Sequence, residues 1–117
     1  MIPQGVQVFV SLEPINLRYS FERLVGFAQE HMGYEARSGA LFVFFGKRRD
    51  AIKVLFFDGT GLCIFYKRLD RGTFRLPDPP SPDTKHMEVD QATLDALLDG
   101  IDLGPRPPRP RSPRRVH

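Results

Sequence analysis

Three runs of apolar and aromatic residues follow one another in the middle of the sequence, separated only by short segments that contain glycine. The runs cover residues 40–45, 51–57 and 62–68, and a shorter run covers residues 73–76. Runs rich in Phe, Val, Ile and Leu and bounded by turn residues are typical of β-strands. Parallel strands need a crossover of about a dozen residues, which these short segments do not provide. The pattern therefore predicts an antiparallel meander of about four strands.

The residues before this meander predict one strand and one helix. Valines alternate with other residues over 5–10, which is the period of a short strand. Apolar residues then recur at helical spacing over 19–32, with Asn16 and Ser20 as alternative N-caps. Gly33 lies where such a helix ends.

The residues after the meander predict a break, an edge strand and a second helix. Four prolines between 77 and 82 end the sheet, because proline donates no hydrogen bond to a strand ladder. Residues 86–89 predict a short edge strand. Asp90 is then a favourable N-cap for a helix over 91–98, with Gly100 as its C-terminal stop.

Together these patterns predict an α+β fold. It consists of an antiparallel β-meander of about four to five strands, an N-terminal helix packed on one face and a short C-terminal helix. We expect one domain over residues 1–103, since 117 residues suit a single domain. Residues 104–117 are rich in Arg and Pro and are expected to be extended or disordered.

Charge is segregated along the chain. The formal net charge is only +3, but residues 37–75 carry nine Lys or Arg against three Asp, and residues 104–117 carry five Arg and no acid. Residues 1–36 are mildly acidic, and residues 76–103 carry seven acids against one lysine. The two basic segments predict two cationic surfaces. The alternative is that the acidic block folds against one of them.

The basic middle segment is a candidate phosphate-binding surface. In a meander the ends of neighbouring hairpins converge, and clustered cations suit contacts with a nucleic-acid backbone. The alternative is that these charges only solubilise turns and protect sheet edges. The tail resembles an arm that follows phosphates or enters a minor groove, or it is a solvated tail without specific use. The candidate DNA-binding residues are Lys47, Arg48, Arg49, Lys53, Lys67, Arg68 and Arg71, with Arg106, Arg109, Arg111, Arg114 and Arg115 in the tail.

The sequence shows no catalytic constellation, so we expect no enzymatic activity, no cofactor and no metal site. The three histidines are far apart, and no nucleophile-elbow motif is present. Asp50, Asp58 and Asp70 lie in or beside turns, where aspartate serves backbone geometry. A metal-dependent nuclease using Asp50 or Asp58 is the enzymatic alternative. Cys63 lies within a strand and is expected to pack as a small apolar residue.

The expected location is the cytoplasm. A single cysteine suits a reducing compartment, and no apolar run is long enough to span a membrane. Residues 1–5 contain no charged segment followed by an apolar stretch, so we expect no secretory signal.

An ordered series of short motifs resembles a known family. It begins with Met1-Ile2-Pro3, Gly5, Val6 and Val8 and continues through Leu17, Arg18, Phe21 and Leu24. The most specific part is Gly39-x-Leu41-Phe42-Val43-Phe44 with Lys47-Arg48-Arg49-Asp50-x-Ile52-Lys53. It is followed by Asp58-Gly59-x-Gly61-Leu62-Cys63-x-Phe65-Tyr66-Lys67-Arg68-Leu69, Gly72-x-Phe74 and Leu97-Leu98-x-Gly100-Ile101. Over residues 1 to about 101 the chain resembles the TnpB accessory proteins of bacterial insertion sequences of the sixty-six family.

The resemblance implies a role in DNA transposition. In that family a separate, larger protein carries the transposase chemistry, and no catalytic residues are assigned to the accessory protein. The leading hypothesis is therefore a non-catalytic accessory protein that contacts DNA at the ends of the element through the basic hairpin region and the tail. The alternative is a protein–protein adaptor for the transposase, using an aromatic sheet face or the acidic block, without direct DNA binding.

Overall fold

The central strand of the protein consists of five consecutive apolar residues, all buried. The structure, a computed structural model, describes residues 5–99, and in it this strand is β2 (Leu41–Phe45). Side chains alternate between the two faces of a sheet, so a strand buried along its whole length needs cover on both faces. A five-stranded sheet provides its neighbours, in the order β4-β3-β2-β1-β5. The other strands are β1 (Val8–Ser11), β3 (Ala51–Phe57), β4 (Leu62–Arg68) and β5 (His86–Val89).

The predicted antiparallel hairpins are present. β2 pairs with β3 and β3 with β4, both antiparallel, and the pairing of β3 with β4 runs without interruption from Ala51 opposite Arg68 to Phe57 opposite Leu62. β1 lies parallel to β2, because residues 12–40 contain the helix that carries the chain across. β5 closes the other edge antiparallel to β1. The α+β class is confirmed, with a sheet that is mostly antiparallel.

Each face of the sheet is covered by one helix. Helix α1 (Phe21–Phe27) continues into a π-helical turn, Ala28–Met32, and Gly33 ends it at a φ of 80°. This confirms the helix and stop predicted over 19–33, although Ser20 at the N-cap position makes no side-chain capping bond. Helix α2 (Gln91–Asp99) begins after Asp90, whose Oδ1 accepts a hydrogen bond from the Thr93 N–H at 2.8 Å.

Two apolar clusters fill the space between the sheet and these helices. The cluster on the α1 side is built around β2 residues Phe42 and Phe44 and includes Leu24, Ala28, Met32 and Leu55. The cluster on the α2 side includes Leu41, Val43, Phe45, Val54, Phe74, Leu94 and Leu97. Neither face of β2 is therefore left open.

The prediction of a fourth meander strand over residues 73–76 is wrong. Only Thr73 forms an isolated bridge, and the following residues are irregular. Phe74 is fully buried in the α2-side cluster while Arg75 is exposed. The short apolar run that predicted a strand thus reflects an aromatic anchor in an irregular segment. The predicted stop at Gly100 and the tail over 104–117 lie outside the described residues.

The turn between β3 and β4 is organised by one carboxylate. Asp58 Oδ1 accepts hydrogen bonds from the Thr60 and Gly61 N–H groups, each at 2.9 Å, and from the Thr60 hydroxyl at 3.0 Å. These bonds favour the ionised form and lower the pKa of Asp58 from 3.8 to about 2.

Stability at low pH tests this turn. A carboxyl group whose pKa is lowered by folding contributes stability that is present above its unfolded pKa and is lost as the pH falls through the folded value. We expect Asp58→Ala to lower the free energy of unfolding at neutral pH, and the difference from wild type to shrink as the pH falls from 3.8 to about 2. Urea unfolding at several pH values measures it, with the exposed Asp83→Ala as the control for loss of one carboxylate. A difference that stays constant down to about pH 2 would contradict this interpretation.

Candidate nucleic-acid interface

The turn between β2 and β3 places three consecutive cations at one end of the sheet. The Arg49 N–H donates to the Gly46 carbonyl at 3.0 Å, and the Gly46 N–H donates to the Ala51 carbonyl at 3.3 Å. Arg49 has a φ of 59°, the only positive φ of a residue other than glycine among those described. Lys47 and Arg48 form the tip between these bonds.

Residues 69–75 are fastened beside this turn by backbone hydrogen bonds. The Leu69 N–H donates to the Asp50 carbonyl at 2.8 Å, and the Phe74 N–H donates to the Arg49 carbonyl at 2.7 Å. Because Phe74 is also buried, packed edge-on against Phe45 with ring centroids 5.8 Å apart, this segment is held at two points. Its arginines are therefore carried to the same end of the sheet as the β2–β3 turn.

We call this region the cationic end. Arg68 belongs to it as the last residue of β4, paired with Ala51 at the start of β3. Two aspartates lie among its cations: Asp50, which is buried, and Asp70, which is exposed. The cationic end comprises Lys47, Arg48, Arg49, Arg68, Arg71 and Arg75.

Two clefts separate the cations of this end. The first has a volume of about 470 Å³ and lies between residues 14–17 and the side chains of Lys47, Arg48 and Arg68. The second has a volume of about 560 Å³ and is lined by Arg49, Arg75 and the Pro-rich segment around Asp78. The acidic block thus begins next to the cationic end, as a wall of the second cleft.

The loop over residues 14–17 has a fixed position against the turn. The Ile15 N–H donates to the Phe45 carbonyl at 2.9 Å. A Cβ atom added to Gly46 would lie 2.7 Å from Leu17 Cδ1, so any larger residue there would require the Leu17 side chain to move. The sequence alone does not place this loop at the candidate site, since the contact depends on the crossover from β1 to β2.

The six cations differ in availability. Arg48 is partly buried and lies 3.4 Å from the Asp50 carboxylate, an ion pair that stabilises the turn. Arg68 donates to the Tyr66 hydroxyl at 2.9 Å. Lys47, Arg71 and Arg75 are exposed, so their charges face solvent.

Two lysines predicted for the same surface lie on opposite faces of the sheet. Lys53 is paired with Tyr66, and its Nζ donates to the Tyr19 carbonyl at 2.8 Å on the α1 side and lies 5.4 Å from the centroid of the Tyr66 ring. Lys67 is paired with Ile52, and its Nζ donates to the Leu98 carbonyl at the end of α2. Both ammonium groups therefore have partners within the fold. The predicted tail arginines, Arg106 to Arg115, lie outside the described residues.

The two aspartates considered for a metal-dependent nuclease, Asp50 and Asp58, lie at opposite ends of one strand. Asp50 and Asp58 flank the seven residues of β3, and the eight residue steps between them span about 26 Å along the strand. Within residues 5–99, no group of three or more His, Cys, Asp or Glu side chains lies together in a way that suits a metal ion. Burial, followed by the nearby Asp58 carboxylate, raises the pKa of the Cys63 thiol, which disfavours the nucleophilic thiolate.

One apolar groove lies at the opposite end of the sheet. It has a volume of about 350 Å³ and lies between α2 and strands β3 and β4, and its walls include Val54, Phe56, Phe65 and Leu98. No helix over the described range is long and apolar enough to cross a membrane.

Comparison with known proteins gives the family. The model of the family described as IS66 Orf2-like proteins matches residues 6–107. The chain belongs to this family. Its members are associated with insertion sequences, in agreement with the resemblance found in the motifs.

Two relatives come from Sinorhizobium fredii. An uncharacterized protein named y4hO is 38% identical over 104 residues, which cover 87% of this chain and 88% of the relative. A second uncharacterized protein, y4jC, is 28% identical over 99 residues, which cover 85% of this chain and 82% of the relative. No solved structure is significantly similar to the chain.

The conformation of Arg49 gives a stability prediction. A side chain in the left-handed region costs about 1–2 kcal/mol, whereas glycine adopts this φ freely. We expect Arg49→Gly to raise the free energy of unfolding by about 1 kcal/mol, as measured by urea denaturation. Arg71→Gly is the matched control, because Arg71 has an ordinary φ and glycine there should lower stability. A loss of stability in Arg49→Gly would show that the arginine side chain stabilises the turn by more than its backbone strain costs.

Proposed function

We propose that this IS66 Orf2-like protein is a non-catalytic accessory factor in transposition of its insertion sequence. In this proposal it contacts the phosphate backbone of DNA through the cationic end. The observation that carries the proposal is the convergence of six Lys and Arg residues from two chain segments, with Asp50 and Asp70 among them and Asp78 in the wall of the second cleft. Family membership supports the link to an insertion sequence, and the geometry supports the choice of surface.

The cationic end has the chemistry that phosphate contacts require. Clustered cations bind DNA mainly by releasing the counterions condensed on it, and Arg and Lys supply most contacts to phosphate oxygens. Lys47, Arg71 and Arg75 are exposed and can reach a ligand without breaking an internal contact. Arg49 retains a charged side chain at a backbone position that glycine fits better, and such strain is typical of functional positions.

The shape of the surface favours binding with little sequence preference. Proteins that discriminate bases usually insert a helix or a two-stranded ribbon into the major groove. Both described α-helices instead pack on the sheet, and the cationic end consists of a tight turn and an irregular segment. We therefore expect it to position the protein on DNA and to leave sequence selection to other components of the element.

A second candidate function is that of an adaptor for the transposase. The observation in its favour is the apolar groove beside Phe65 and Leu98, at the end of the sheet away from the cations. An adaptor would associate with the transposase after nuclease treatment and would not bind DNA alone. In either function the protein acts together with the transposase, and the chemistry of strand transfer belongs to that partner.

Salt-dependent binding distinguishes the two functions. We expect the full-length protein to bind a duplex carrying an element end. The logarithm of the association constant should fall linearly with the logarithm of the salt concentration, with a slope of about −0.9 for each phosphate neutralised. Lys47→Gln and Arg71→Gln should each weaken binding and reduce this slope by about 0.9, to a similar extent on a scrambled duplex. Fluorescence anisotropy across a salt series measures both quantities.

Arg37→Gln is the matched control for these variants. Arg37 is exposed and lies just before β2, at the end of the sheet opposite the β2–β3 turn, so its loss should change the slope little. Equal effects of all three substitutions would show that the cationic end has no special role in DNA binding. Absence of binding at low salt would overturn the proposal and favour the adaptor.

A further inference from the structure

Strand β4 is an open edge of the sheet, and it is unusually long and regular for one. Its only strand neighbour within residues 5–99 is β3. All seven residues pair with β3 in one continuous register, and none of them is proline or glycine. Proteins usually protect an edge with a short strand, a bulge, proline or charges along its length. The opposite edge follows this rule, since β5 has four residues and exposes Glu88.

The backbone groups that β4 presents outward follow from the ladder. The Asp58 N–H donates to the Gly61 carbonyl at one end, and the Leu69 N–H donates to the Asp50 carbonyl at the other. Because hydrogen-bonded and non-bonded pairs alternate in an antiparallel ladder, the odd-numbered residues from 61 to 69 bond to β3. The N–H and C=O groups of the even-numbered residues point away from the sheet. These outward residues are Leu62, Ile64, Tyr66 and Arg68.

The side chains of β4 also leave apolar area exposed. Phe65 is 41% exposed and Tyr66 is 47% exposed, on opposite faces of the strand. They are two of the four large hydrophobic residues that remain exposed among the described residues. Exposed aromatic side chains beside unpaired backbone groups are the features of a strand that pairs with another chain.

We propose that β4 is the pairing edge of a homodimer, in which the β4 strands of two copies join antiparallel about a two-fold axis at Phe65. In this register Ile64 faces Tyr66 of the partner copy, and Leu62 faces Arg68. All seven residues of each strand are paired, and every outward N–H and C=O group meets a complementary group. The two Phe65 side chains meet at the axis as a cross-strand aromatic pair.

The charges at the two ends of β4 favour a second copy as the partner and the antiparallel direction of pairing. The cations of β4, Lys67 and Arg68, both lie at the C-terminal end of the strand, and the Asp58 turn lies next to its N-terminal end. Antiparallel pairing of two identical strands places each cationic pair beside the Leu62 end and the ionised Asp58 turn of the other copy. A parallel pairing in register would instead place like charges next to each other, which is destabilising.

Sedimentation velocity over a range of concentrations tests the dimer. We expect the full-length protein to sediment as a concentration-dependent dimer and Phe65→Lys to sediment as a monomer, because two like charges would then meet at the axis. Glu88→Lys introduces a lysine on the opposite edge of the sheet and should leave the dimer intact. Circular dichroism of both variants verifies that they are folded.

Disulfide trapping tests the register without adding charge. In the proposed dimer the Phe65 pair is a non-hydrogen-bonded one, with Cα atoms about 4.5 Å apart, within the range of a disulfide. Phe65→Cys in a Cys63→Ser background should therefore form a covalent dimer rapidly under mild oxidation. Tyr66→Cys in the same background should not, since its offset of two residues places the two Cα atoms about 8 Å apart.

Several outcomes would overturn the inference. A wild-type protein that stays monomeric at high concentration, a dimer unaffected by Phe65→Lys, or equal trapping at positions 65 and 66 would each do so. If the wild-type protein is a monomer and the β4 variants no longer associate with the transposase, the edge pairs with the transposase instead. None of these outcomes depends on whether the cationic end binds DNA, so the two proposals fail separately.

Discussion

The burial of β2 on both faces is the constraint on which the rest of the structure depends. Its five side chains are at most 8% exposed, and its aromatic residues point to both sides of the sheet. Burying a phenylalanine contributes about 1.5–3 kcal/mol, so the fold gains most when both faces of this strand are covered. The chain meets this requirement with α1 on one face and with α2 and Phe74 on the other. The parallel placement of β1 agrees with it, because α1 lies in the crossover between β1 and β2 and covers one face as the chain returns.

The cationic end is a consequence of the same arrangement. Phe74 must reach the α2-side cluster, and its N–H bonds to the carbonyl of Arg49, so the segment that carries Arg71 and Arg75 is drawn against the β2–β3 turn. Burial and backbone hydrogen bonds hold these like charges together, while the ion pair of Arg48 with Asp50 offsets one of them. The buried core thus holds the cations close together against their mutual repulsion, so the surface is already arranged to bind an anionic ligand. This is the physical basis of the proposed contact with DNA.

Most elements of the fold could be predicted from the sequence because their signals are local. The bounds of β3, β4 and β5 agree with those predicted from apolar runs and turn residues, and Asp90 caps α2 as expected. The direction of β1 could not be predicted from its own residues, since it depends on the path of residues 12–40. The segment 73–76 misled because Phe74 and Leu76 form a short apolar run like that of a strand, although they pack an irregular segment against the core.

The candidate site was only partly predictable for a related reason. Cations in one turn stay together in any fold, so Lys47, Arg48 and Arg49 could be grouped from the sequence. Lys53 and Lys67 lie on adjacent strands, where a shift of one residue in register moves a side chain to the other face. The two-residue tip at Gly59 and Thr60 sets that register, and it places the two lysines on opposite faces. The length of this turn is the sequence feature from which the opposite placement of Lys53 and Lys67 could have been predicted.

One end of the sheet forms the proposed contact with DNA. Amide hydrogen exchange of the full-length protein, with and without a short duplex at low salt, measures this most directly. We expect added protection in residues 46–50 and 69–75, with little change in the β3–β4 turn or in α1. Protection confined to the β3–β4 turn and the apolar groove, or no change at all on adding DNA, would contradict it.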